Sequence, residues 1–244
     1  MNFHSRRSAL LLGLVVALSG CLNVKNWPTI SGSGNVVLES REVNQFDRVE
    51  VGGAGELTLV QGDQEGLTIE ADDNLLPHIT AEVVRGRLVI GSEGVNLRPS
   101  RRVHYKLTFK HLNELGLSGS VQARSDLIAS DRLALAVSGS GGIEVAQLRA
   151  QTLSAHISGS GKMTVAGEVK ECQSHISGSG RCDASELKCL MAEAHISGSG
   201  HVSFWAEERL NAHISGSGSV SYRGNPQVDS HVSGSGRVRQ IGGQ

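Results

Sequence analysis

Ala155-His156-Ile157-Ser158-Gly159-Ser160-Gly161 returns as Ser174 to Gly180, Ala194 to Gly200, Ala212 to Gly218 and, with Val232 for Ile, Ser230 to Gly236. The Ser-Gly-Ser-Gly tetrapeptide inside it begins at Ser31, Ser138, Ser158, Ser177, Ser197, Ser215 and Ser233, and a degenerate copy begins at Ser118. From Ser118 onward the spacings are 20, 20, 19, 20, 18 and 18 residues. A flexible Gly/Ser linker has no reason to keep such a period, whereas a stack of structural repeats does.

The flanks decide which repeat this is. One position before each tetrapeptide stand Leu117, Val137, Ile157, Ile176, Ile196, Ile214 and Val232. Three before stand Leu115, Leu135, Ala155, Ser174, Ala194, Ala212 and Ser230, and five before, from the second copy, Leu133, Leu153, Cys172, Ala192, Leu210 and Val228. Mostly apolar columns two residues apart, with polar residues between, are the alternation of a strand with one buried face. After the tetrapeptide a second strand follows, with Ile143, Met163, Cys182, Val202, Val220 and Val238 in its first inward column. Leu148, Val169 and Leu187 suggest a third short strand. Two or three short strands in every 18–20 residues describe a parallel β-solenoid, each coil pairing only with its neighbours about 4.8 Å away. In it, Ser-Gly-Ser-Gly is the corner between strands. Glycine reaches positive φ there without strain, and the serine hydroxyls can bond to turn backbone.

Composition agrees. The seven tetrapeptides hold 14 of the 31 glycines, so the glycine excess belongs to one motif rather than to a disordered chain. Residues 100–225 lack Pro, as coils that need every backbone N–H require. A net charge of −1 does not suggest a nucleic-acid binder, whose domain would be strongly basic. A phosphate-binding loop needs a strand-to-helix context and usually a following Lys-Ser/Thr, and neither is present.

At the N-terminus, Arg6 and Arg7 precede the ten-residue apolar run Ala9–Leu18, and Leu18-Ser19-Gly20-Cys21 follows. The run is too short to span a membrane and the right length for a signal-peptide core. The ending resembles a bacterial lipobox, in which Cys21 is lipidated and becomes the first mature residue. Leu22, in place of an Asp, favours the outer membrane by analogy with lipoprotein sorting. We therefore divide the chain into a signal peptide at 1–20, lipidated Cys21 and tether at 21–34, and a single β-helix domain at 35–244, with regular coils from about 115 to 240. Within 35–116 the strand candidates are Val49–Val51, Glu56–Val60, Leu67–Glu70, Arg87–Ile90 and Val103–Phe109, while 74–85 reads as a loop or brief helix.

Phe46-Asp47-Arg48-Val49-Glu50-Val51 leading into a small-residue turn, Leu57 to Gly62, Leu67 to Ala71, Gly86 to Ile90 and the recurrent Ile-Ser-Gly-Ser-Gly together resemble the bacterial family of auto-transporter adhesin head GIN domains. The resemblance spans about residues 34–240. It implies an all-β, right-handed, single-stranded parallel β-helix and an envelope or cell-surface setting. It transfers no catalytic residues.

His156, His175, His195, His213 and His231 stand two positions before the tetrapeptides, in an outward column. As a surface ladder the five imidazoles read first as products of repeat duplication, with neutral rings stacking. Weak metal capture, since imidazole suits Zn, Cu and Ni, and a pH response are the other readings. No Cys or carboxylate column accompanies them throughout, so a defined metal site is not implied. Cys172, Cys182 and Cys189 read as buried free thiols, with a Cys172–Cys189 bridge as the alternative. Arg98, Arg101, Arg102, His104 and Lys106 form a basic run that reads as a solvated loop and edge strand. Phe204, Trp205 and Tyr222 are the one aromatic cluster, with Phe204 and Tyr222 in a core column.

Glycoside hydrolysis needs two carboxylates facing across a cleft, and no such paired columns recur. The sequence thus points to a non-catalytic, lipid-anchored envelope protein without a cofactor: an adhesin or structural module presenting a rigid, repetitive Ser/His face. The alternative is a periplasmic accessory protein that binds an envelope protein or a glycan. A carbohydrate-active enzyme ranks third. The expected partners are the membrane, through Cys21, an unidentified protein or glycan, and a second copy joined end to end.

Overall fold

The computed structural model describes residues 27–92 and 94–242. Residues 1–20, read as a signal peptide, and Cys21 lie outside the described residues. The N-terminal part is built from β1 (Thr29–Ser31), β2 (Val36–Arg41), β3 (Arg48–Gly53), β4 (Glu56–Gln61), β5 (Gly66–Asp72), β6 (Ile79–Val84), β7 (Arg87–Ser92), β8 (Asn96–Arg98) and β9 (His104–Phe109). The repeat region follows with β10 (Glu114–Gly119), β11 (Gln122–Ser125), β12 (Ile128–Gly139), β13 (Gly142–Gly159), β14 (Lys162–Gly178), β15 (Arg181–Gly198), β16 (His201–Gly216), β17 (Ser219–Arg223), β18 (Gln227–Gly234) and β19 (Arg237–Gln240). Among the described residues no helix is long and apolar enough to cross a membrane.

The repeat region is a parallel β-solenoid whose register follows the sequence columns. Leu117, Val137, Ile157, Ile176, Ile196, Ile214 and Val232 pair successively from coil to coil. All but Val232 are buried. The columns of Leu135 and of Ile143 also line the interior. Instead of separate short strands, each central coil is one strand of 16–18 residues that bends as it goes. The bends coincide with shifts of register, between Val145 and Leu148 on β13 and between Thr164 and Ala166 on β14. Such irregularities turn a strand without ending its hydrogen bonding.

Between β13, β14, β15 and β16 each strand ends at a Ser-Gly corner. Gly159 has φ 111°, and a Cβ there would stand 2.8 Å from the Gly139 carbonyl oxygen of the coil before. The residue must be glycine for two reasons at once, its backbone conformation and the close stacking of corners. Across the corner the backbone carries the ladder, with Ser160 N–H donating to Gly139 O at 2.9 Å.

The N-terminal part departs from an all-parallel solenoid. β3 and β4 continue it, pairing in parallel with β10 and β11. Beyond them, β2–β5, β5–β9 and β6–β7 are antiparallel. The cause is local turn chemistry: Arg85 (φ 51°) and Gly86 (φ 76°) make a two-residue hairpin, which folds β7 back on β6. The irregular stretch before it contains a 3-10 turn, Leu76–His78, and then β6 itself. Part of the stretch read as tether is also tied down. β1 pairs with β8, and Gly34 N–H and Ser100 N–H donate to the buried Asp72 carboxylate at 2.8 and 2.9 Å.

Candidate functional site

Because side chains alternate along a strand, the residues between the inward columns form an outward face on the strand before each corner. Its middle column runs Glu50, Gly116, Ala136, His156, His175, His195, His213, His231, each in register with the next. On its corner side runs a column of small residues, from Gly52 through Ser118 and Ser138 to Ser233. On the other side run Arg48, Glu114, Ala134, Ser154, Gln173, Glu193, Asn211 and Asp229. A continuous groove of about 990 Å³ follows this face from Glu50, Arg87 and Glu114 to His231. The Gly52-Gly53 turn is thus an unrecognised first copy of the corner. Its sequence lacks serine, and only the register exposes it.

The five histidines do form a surface ladder. Successive ring centroids are 4.9, 4.6, 4.9 and 5.3 Å apart, with interplanar angles of 3–16°. Neighbours in the adjoining column set the ring positions: Ser154 Oγ lies 3.0 Å from His156 Nε2, and Glu193 Oε1 lies 2.6 Å from His195 Nε2. Asp229 stands 3.6 Å from His231 Nδ1. His175, the second ring of the stack, has its proton affinity lowered, first by burial and then by His195 and His156. Its Nδ1 is shielded from solvent and has no hydrogen-bond partner among the described residues.

This geometry bears on the metal reading. Zinc bonds imidazole nitrogen at about 2.0–2.1 Å, so one ion joining two rings spans about 4.2 Å at most. Rings stacked nearly parallel at 4.6–5.3 Å hold equivalent nitrogens farther apart than that. Among the described residues no group of three or more His, Cys, Asp or Glu is arranged to hold a metal ion.

At the end of the groove nearer the N-terminus, Arg87 donates to both carboxylate oxygens of Glu114, at 2.8 and 3.0 Å. The pair holds the guanidinium firmly protonated. Glu50 lies 3.7 Å from the same guanidinium. None of these three was singled out from the sequence. They belong to three different strands, and only the coil register brings them together.

The cysteines require a correction. Cys172 and Cys189 form a disulfide, with Cα atoms 6.2 Å apart, so free burial holds for Cys182 alone. Cys189 is level with Val169 of the previous coil, and Cys172 with Ala192 of the next. The bond therefore runs obliquely through the interior between consecutive coils, where a bend makes two inward columns converge. Burial pushes the Cys182 thiol up to about 11, which removes it from thiolate chemistry at neutral pH. In the basic run, Arg102 bonds Glu56 at 2.8 Å and lowers its carboxyl, and His104 stands 3.4 Å from the same group. Phe204 is buried and in register with Tyr222, which packs against the core.

Comparison with known proteins matches residues 45–226 to the family described as "Putative auto-transporter adhesin, head GIN domain". A crystal structure from Parabacteroides distasonis, named a "Putative lipid binding protein", is 25% identical and superposes with a TM-score of 0.76 over 88% of this chain and all of that one. A "putative adhesin" from Bacteroides fragilis is 23% identical, with a TM-score of 0.82 over 87% of this chain and all of that one. Another from Parabacteroides merdae is 23% identical, with a TM-score of 0.71 over 88% of this chain and all of that one, and like the Bacteroides protein it shares the fold. No curated protein matches this chain.

Proposed function

The chain belongs to the family of auto-transporter adhesin head GIN domains, and from that premise we propose that it is a non-catalytic, lipid-anchored module of the outer membrane that binds a partner with its His/Ser face. The observation that carries this reading is the groove, about 990 Å³, running along a face whose side chains repeat in strict register over successive coils. Backbone pairing on both sides fixes the central coils, so the face is preorganised and binding costs little ordering entropy. Regularly spaced hydroxyls and imidazoles suit an extended, polar, repetitive partner such as a glycan or an exposed polypeptide strand.

The anchor supplies the setting. A triacylated Cys21 would hold the protein stably at a membrane, since more than one chain gives stable attachment. A Cys21→Ala variant is expected in the soluble fraction, with the wild type in the outer membrane. The binding face is tested with the mature domain on a glycan array and on whole cells, beside a Ser177→Glu/Ser197→Glu variant. Both serines are exposed, so the variant folds, and loss of binding is the expected result. Binding unchanged by these substitutions would move the partner site elsewhere, and turnover of a bound glycan would make the protein an enzyme.

A further inference from the structure

The His ladder stops short of the groove's end. His156 is its first rung, stacked on one side against His175. On the other side the same column continues as Ala136 and Gly116, which carry no ring, and then Glu50. The Glu50 side chain leans over the Gly116 position, with its Cγ 3.9 Å from where a Cβ on Gly116 would stand. Between Glu50 and the open face of His156, the steps at Gly116 and Ala136 leave a slot about two coil spacings long, near 9.6 Å. Ser118 and Ser138 line it on the corner side, and Glu114 and Ala134 on the other.

We propose that this slot takes one aromatic side chain of a partner polypeptide, a ring with an N–H or O–H on its edge, which stacks on His156 and donates to Glu50. Two independent features select that occupant. The first is the stack. His156 is oriented by Ser154 at 3.0 Å and offers a flat face in line with four further rings, and aromatic rings favour offset stacking on such a face. The second is charge. Glu114 takes Arg87 through two bonds at 2.8 and 3.0 Å, which leaves Glu50, at 3.7 Å, with the weaker share of that cation. Glu50 is therefore the acceptor on the slot's end wall, complementary to a donor edge. An aliphatic side chain satisfies neither feature.

The slot deepens the reading of the groove as a binding face and rests on it, so the test separates the two. The probe is N-acetyl-tryptophanamide, added to the mature domain and followed by NMR at the histidine rings. We expect an upfield ring-current shift at His156, little or none at His213 and His231, and no such shift with N-acetyl-leucinamide. Ala136→His supplies the next rung of the ladder, at a position where the following five coils already carry histidine, and is expected to fold and to weaken probe binding at least tenfold. Glu50→Gln is expected to weaken it less. No shift at His156, or binding indifferent to Ala136→His, would overturn the slot. If Ser177→Glu/Ser197→Glu still abolishes partner binding in that event, the groove stands without the slot. If neither variant alters partner binding while the probe still binds at His156, the groove reading fails and the slot is a site for small rings alone.

Discussion

At Gly159, φ is 111° and the Gly139 carbonyl of the preceding corner blocks the space a side chain needs. Gly159→Ala therefore combines a left-handed penalty of about 1–2 kcal/mol with a backbone clash, and the coil pair must separate locally. We expect a loss of at least that size in chemical denaturation, while the exposed Ser158→Ala costs under about 0.5 kcal/mol. The sequence made the positive φ readable, because glycine alone recurs there. The packing reason, one corner glycine on another, needed the coil register. His175 gives a second prediction. Its folded value is held below the ordinary 6.5 by burial and by its neighbours His195 and His156, against a smaller opposing pull from Glu193. His201 is lowered too, by burial and then by Arg181, with Arg239 adding and Asp183 opposing. A lowered base favours the neutral form in the fold. The stability it contributes is present above pH 6.5 and is lost as the pH falls through the lower folded value. Urea midpoints should therefore drop between pH 7.5 and 5, and His175→Gln should drop less than wild type. An equal drop in the variant would assign the acid sensitivity elsewhere.

Among the elements, the long strands β13 to β16 were legible as alternating columns, but their continuity was not. Periodicity of two reports which way a side chain points and says nothing of where a strand bends, so three short strands and one bent strand write the same pattern. The same blindness hid the disulfide: Cys172 and Cys189 lie in different columns, and only the bend brings those columns together. The His ladder was fully legible, since one copied position is enough to stack five rings. The Arg87–Glu114–Glu50 end wall was not, because no periodicity links β7, β10 and β3. For the disulfide, Cys172 and Cys189 are separated by 17 positions in sequence, and closing a loop near that length stabilises by about 3 kcal/mol. Cys172→Ala/Cys189→Ala should lower the melting temperature by about 10 °C, as a chain of this size shifts roughly 2–4 °C for each kcal/mol. Thiol titration of the mature domain made without Cys21 should count one thiol, Cys182, and only after unfolding.

Across the whole molecule, stability is distributed along the axis, because each coil touches only the coils beside it. The two ends are finished differently. At the first, the antiparallel strands β2 and β6 close the sheets, and Val43, Phe46 and Leu76 from the neighbouring segments belong to the buried core. Arg41 fastens the closure by donating to the carbonyls of Leu76 and Ile79. At the other, every residue of β18 is exposed, and the column that buries Ile157, Ile176, Ile196 and Ile214 ends on Val232 at 41% exposure. Coils with buried neighbours on both sides open only when those neighbours open, whereas β18 and β19 can fray alone. Native-state hydrogen exchange should then show a gradient. Amides of β13 to β15 should exchange slowest, those of β16 faster, and those of β18 and β19 fastest, while β3 to β5 remain protected beneath the antiparallel closure. Val232→Asp should speed exchange in β18 and leave β13 unchanged. Uniform acceleration along the axis would mean that the solenoid opens as a single unit, and the asymmetry of its ends would then have no energetic consequence.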